Sequence, residues 1–75
     1  MSRVVFDYSK LKGRIKEKCN SQKVFADQLG ITPGTLTGKL RGYTGFSQEE
    51  IFRTADILDI DLGLINLYFF DRKVQ

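Results

Sequence analysis

The sequence predicts an all-α fold, a compact bundle of four to five helices in one domain of 75 residues. Two observations carry that expectation. Apolar residues recur at helical spacing, most plainly Leu11, Ile15 and Cys19 at i, i+4 and i+8. Helix start and stop residues also punctuate the chain at short intervals, with Ser9, Ser21, Thr32-Pro33 and Ser47 at starts and Gly30 and Gly42 at stops.

Each element follows from those signals. Ser9 is expected to cap a first helix over 10–19, with its lysines on the faces away from Leu11, Ile15 and Cys19. Ser21 caps a second, QKVFADQL, whose Val24, Phe25, Ala26 and Leu29 cover one side before Gly30 supplies a left-handed stop. Thr32 as N-cap and Pro33 at the first helical position open a third helix over 33–41, closed by Gly42. Ser47 and Glu50 form a capping box, and Phe46 with Ile51 the matching hydrophobic staple, for a fourth helix reaching about Leu58. Asp59 or Asp61 begins a fifth segment over 62–69, and DRKVQ reads as a polar tail.

Composition removes several classes of function. There is no histidine and one cysteine, so neither a zinc site nor a Cys–His nucleophile has support; no metal, cofactor or enzymatic role is expected, and the thiol usage fits a reducing cytoplasm. No run of residues is apolar enough to span a bilayer, and MSRVVFDYSK lacks the apolar stretch of a signal peptide, so a soluble protein of a bacterial cytoplasm with no membrane partner is expected. The acids of DILDIDLG do not fit an EF-hand, because counting from Asp59 the twelfth position is Phe70 in place of a glutamate. The charge is unevenly laid out: residues 1–42 hold nine Lys/Arg against three acids, whereas residues 43–75 hold three against six. A basic front half and an acidic back half suit a protein that turns one face to a polyanion.

The third helix is the candidate for that face. Its stretch GITPGTLTGKLRG resembles a phosphate-binding loop only superficially, since three residues instead of four separate Gly34 from Gly38 and Leu40 stands where a Mg²⁺-binding hydroxyl belongs. As a helix, it carries two glycines that each cost about 1 kcal/mol relative to alanine. At 100° per residue, Pro33, Leu36 and Leu40 form the core stripe, Gly34, Thr35, Gly38 and Arg41 point away, and Thr37 and Lys39 flank them. Such a face can lie in a major groove, with threonine hydroxyls and methyls toward base edges and Lys39 and Arg41 toward phosphates or guanines. The alternative is that the glycines admit a neighbouring helix and the threonines are inert.

The residues before this helix favour the groove reading. A helix-turn-helix needs a small residue where its helices cross, a glycine at the turn and an apolar residue after it; Ala26, Gly30 and Ile31 supply them, and Leu29 and Leu36 the contacts between helices. The segment Gln22–Arg41 therefore resembles the helix-turn-helix of phage repressor and Cro-type proteins, the lambda-repressor-like family, and the frame FDYSKL…KVFADQLGIT…YFF resembles small Cro-like bacteriophage proteins. That resemblance implies a transcriptional regulator of phage or prophage origin that binds double-stranded operator DNA as a homodimer. It implies that Gln22 and the start of the second helix hold a phosphate, with Lys23 and Thr32 beside them. Gly34, Thr35, Thr37 and Gly38 would occupy base-reading positions and Arg41 would lie near the backbone. Two features depart from the family pattern: glycine stands where Gln, Ser or Asn is usual, which shifts weight to DNA shape, and Lys39 stands where an apolar residue is common. A protein-interaction module, such as an antirepressor binding another regulator, is the competing expectation.

The C-terminal LGLINLYFF has apolar side chains at 62, 64, 65 and 67–70, more than one helical face. Either it forms the homodimer contact, or VVFDY folds over it as a short strand beside residues 67–71.

Overall fold

The computed structural model describes residues 6–72. In order, they form α1 (Ser9–Cys19), α2 (Gln22–Leu29), α3 (Pro33–Leu40), α4 (Gln48–Ile57), a single 3₁₀ turn (Leu62–Leu64) and α5 (Ile65–Phe69). The all-α bundle expected from the sequence is what the chain adopts, within extents of 35 × 28 × 21 Å. Helix α2 is central: α1, α3 and α4 all pack against it, while α5 closes the other side against α1 and α4.

Local chemistry sets these boundaries. The Ser21 hydroxyl accepts the Val24 N–H, and the Thr32 hydroxyl accepts the Thr35 N–H. At α4 the capping box is complete, with Glu50 N–H donating to Ser47 Oγ at 3.1 Å and Ser47 N–H to Glu50 Oε1 at 2.8 Å. At Gly30, with φ +88°, the Ile31 N–H reaches back to the Ala26 carbonyl, and at Gly42, with φ +85°, the Tyr43 N–H reaches the Gly38 carbonyl. This is the Schellman arrangement, which satisfies carbonyls left over at a helix end. Asp59 closes α4 in the same way with φ +55°, a conformation only a few non-glycine residues tolerate. Asp61 then caps the 3₁₀ turn through the Gly63 N–H.

The first helix starts differently from expectation. Ser9 lies inside α1, and the carboxylate of Asp7 takes the capping role by accepting both the backbone N–H and the hydroxyl of Ser9. A carboxylate there also faces the positive end of the helix dipole. At the far end of α4, Arg14 of α1 donates to the carbonyls of Leu58 and Asp59 at 2.9 and 3.0 Å, joining two elements through groups the helix cannot pair itself.

The core comprises Leu11, Ile15, Phe25, Ala26, Leu29, Leu36, Leu58 and Phe69, all at 1% exposure or less. Cys19 is buried with them, and burial raises its thiol pKa, so it stays protonated. Val24 and Pro33, expected on the inner side, are exposed.

The C-terminal segment splits into two. Phe69 is buried and Ile65 and Tyr68 are half-buried, whereas Leu62, Leu64, Leu67 and Phe70 stay 42–59% exposed. Part of its apolar excess is covered by the N-terminal segment, as the strand alternative expected, but in a shifted register: Phe6 forms an antiparallel bridge with Arg72, and the Asp7 N–H donates to the Asp71 carbonyl at 2.6 Å. Asp71 and Arg72 thus belong to the fold and not to a tail. Val4 and Val5 of the expected strand, and Lys73 to Gln75 of the expected tail, lie outside the described residues.

Candidate functional site

Helices α2 and α3 meet through the short turn at Gly30 and Ile31, and Leu36 turns inward so that the opposite side of α3 is open. Gly34, Thr35, Thr37 and Arg41 are exposed on α3 and at its end, and Thr32 at its start, with Gln22 and Lys23, is exposed as well. A Cβ placed on Gly34 would meet nothing within 4 Å. The expectation that the glycines admit a neighbouring helix therefore fails for this one.

Gly38 is half-buried, and its neighbour is not a helix but the Tyr43 ring, whose Cδ2 lies 4.0 Å from where a Cβ would stand. That is ordinary contact, so alanine fits. Gly38→Ala should raise thermal stability by about 0.5–1 kcal/mol through helix propensity alone. If the backbone of α3 approaches a ligand closely, binding weakens in the same variant; a melt showing destabilisation would refute the room for a Cβ beside Tyr43.

The threonines are less free than their exposure suggests. Thr37 Oγ1 donates to the Pro33 carbonyl at 3.0 Å, so its hydroxyl offers lone pairs outward. Thr35 Oγ1 lies 2.9 Å from Thr32 Oγ1, tying both hydroxyls to the start of the helix. Their methyl groups complete a small, weakly polar face.

Lys39 departs from expectation. It is 8% exposed, its ammonium donates to the Gly45 carbonyl at 2.8 Å and pairs with Glu50 at 3.0 Å, and it sits 5.6 Å from the centre of the Phe46 ring. A lysine held in this way is not available to a phosphate or a guanine edge. Helix geometry explains it: three residues after Leu36 and one before Leu40, Lys39 lies about 60° from the first and about 100° from the second, next to the inward stripe that Pro33 was expected to complete. Its aliphatic stem fills the apolar position and its charge is matched inside. Burial pushes the Glu50 carboxyl pKa up, but hydrogen bonds from Ser47 and the hydrogen bond and charge of Lys39 outweigh it, leaving that pKa below the ordinary glutamate range. Arg41 is thus the exposed cation at the end of α3.

Two neighbours of this face were not expected from the sequence. The Arg53 guanidinium of α4 lies over the α2–α3 turn, 3.8 Å from the Cβ position of Gly30, adding a cation from the acidic half of the chain. Tyr43, 68% exposed, stands beside Gly38 at the end of α3. No local spacing announces either contact, since both depend on how α4 and its loop return to α3.

Residues 4–72 match the family described as protein of unknown function DUF739. The chain belongs to the DUF739 family. No curated protein matches it. Among solved structures, the DUF739 chain is similar to the solution structure of the modulator of repression (MOR) of the temperate bacteriophage TP901-1 from Lactococcus lactis, with 36% identity, 93% of this chain and 95% of that chain covered, and a TM-score of 0.79. The likeness to phage regulators read from Gln22–Arg41 accordingly rests on a modulator of repression, and membership of the Cro and repressor family does not follow from it. No helix among the described residues is long and apolar enough to cross a membrane.

Proposed function

We propose that this DUF739 chain is a phage regulator that modulates repression, and that α2 and α3 act as a helix-turn-helix laid against operator DNA. The observation that carries this reading is the open face of α3, where nothing stands over Gly34 and Arg41 projects beyond it. Gln22 and Lys23 at the start of α2 would hold a phosphate, Arg41 the backbone, and Thr35 and Thr37 would meet base edges. With the Lys39 charge neutralised internally, direct base readout is sparse and the shape of the DNA contributes more of the specificity.

A second reading is contact with a regulator protein, such as a repressor. Two observations favour it: the internal pairing of Lys39, which removes a cation from α3, and the likeness to a phage protein named as a modulator of repression. A homodimer through exposed Leu64 and Leu67 is compatible with either reading.

Fluorescence anisotropy against DNA flanking the protein's own gene, over a range of salt, distinguishes these. If each subunit neutralises about three phosphates, a bound dimer gives a log–log slope of roughly −5 and a monomer about −2.7. Arg41→Ala should weaken all DNA alike, and Thr35→Ala should cost the operator ~1 kcal/mol while sparing random DNA. A flat salt response rejects the DNA reading and leaves the protein-contact one.

A further inference from the structure

A cleft of about 340 Å³ opens on the side of the molecule next to Arg41, between the N-terminal segment, the α3–α4 loop and the end of α5. Its size lies within the range of pockets that take a ligand. Phe46 and Phe69 line it deeply and contact each other edge-to-face at 5.2 Å; Tyr8 meets Phe46 at 5.5 Å, and Phe6 meets Phe70 at 5.8 Å. Rings interlocked in this way are preorganised, so little entropy is lost in ordering the walls around a guest. Burial raises the pKa of Tyr8, keeping its phenol neutral and the cleft free of negative charge from that group.

The charge of the lining is one-sided. Among the described residues that line it, Arg41 is the charged one and none is an acid, and its guanidinium has no ion-pair or hydrogen-bond partner among the described residues. Lys39 lies behind Phe46 but is neutralised by Glu50. Tyr43 and Phe70, 68% and 51% exposed, present their rings to solvent at the cleft's edge.

We propose that this cleft binds a peptide segment of a partner protein that presents a large apolar side chain beside a carboxylate. The apolar side chain stacks among Tyr43, Phe46 and Phe70, over the buried Phe69, and the carboxylate pairs with Arg41. The site shares Arg41 with the open face of α3, so a bound peptide and a DNA backbone compete for that guanidinium, while the aromatic walls belong to the cleft alone.

The test is an amide NMR titration of the full chain with acetyl-Glu-Phe-Glu-amide, acetyl-Lys-Phe-Lys-amide and acetyl-Glu-Ala-Glu-amide, in the absence of DNA. The expected result is shifts confined to the residues that line the cleft, 6, 8, 41–46, 51 and 69–70, with the first peptide binding about fivefold or more tightly than either of the others. Arg41→Gln, at an exposed position, should keep the folded spectrum and remove the preference for acid over base. Absent shifts, shifts elsewhere, or equal affinity for the acidic and basic peptides would overturn the proposal. So would peptide-free shifts of the same amides that grow with protein concentration, which would mean that a second copy fills the cleft.

Discussion

Phe69→Ala should leave the protein largely unfolded. Its ring is 1% exposed and meets Phe46 edge-to-face, so truncation removes its transfer free energy and leaves a cavity where α5 closes the core. Phe→Ala in such a position costs about 3–5 kcal/mol, comparable to the stability one small core supplies. The adjacent Phe70 is 51% exposed, and Phe70→Ala should cost about 1 kcal/mol or less. Urea melts of the two variants check the register of α5. Equal losses would mean that the assignment of the buried ring is wrong.

Glu50→Ala should have the next largest effect, about 2–3 kcal/mol, because it removes half of the capping box of α4 and strips the nearly buried Lys39 ammonium of its counter-charge. A cap contributes about 1 kcal/mol, and an unpaired interior charge costs more than a surface pair gains. Because the folded pKa of Glu50 is lowered, its stabilisation is fully present above the ordinary glutamate pKa and is lost as pH falls through the lower folded value. Glu50→Gln should therefore show a shallower loss of stability between neutral and acidic pH than the parent chain. Melts at two pH values read this directly, and parallel losses in both proteins would mean that Glu50 does not carry the acid dependence.

Signals that act over three or four residues are legible in the amino-acid sequence alone. Ser21, Thr32, Ser47 with Glu50, Gly30 and Gly42 each mark a boundary, because their chemistry is satisfied by backbone groups a few positions away. The open side of α3 is legible for the same reason, through the helical placement of Leu36 and Leu40. What stays hidden depends on distant partners. Asp59 gives no glycine-like warning of its left-handed turn, and Phe6 and Arg72 pair across the length of the chain. Lys39 reads as a surface cation until the Gly45 carbonyl and Glu50 are brought around it. The aromatic cleft joins residues from three separate parts of the sequence, so no single stretch announces it.

The shortness of α2 and α3, eight residues each, has a consequence for any binding measurement. A helix in water needs about 12–15 residues to hold even marginally, so neither persists as a peptide. The shape of the α3 face depends on Phe25, Leu29, Leu36 and the rest of the interior, and it vanishes when they come apart. A core substitution that touches no ligand will then lower apparent affinity in proportion to the folded fraction, because binding and refolding draw on the same equilibrium. Titrations of variants become comparable only after each is scaled by its folded population, and amide exchange in α3 reports on the whole domain rather than on the helix alone.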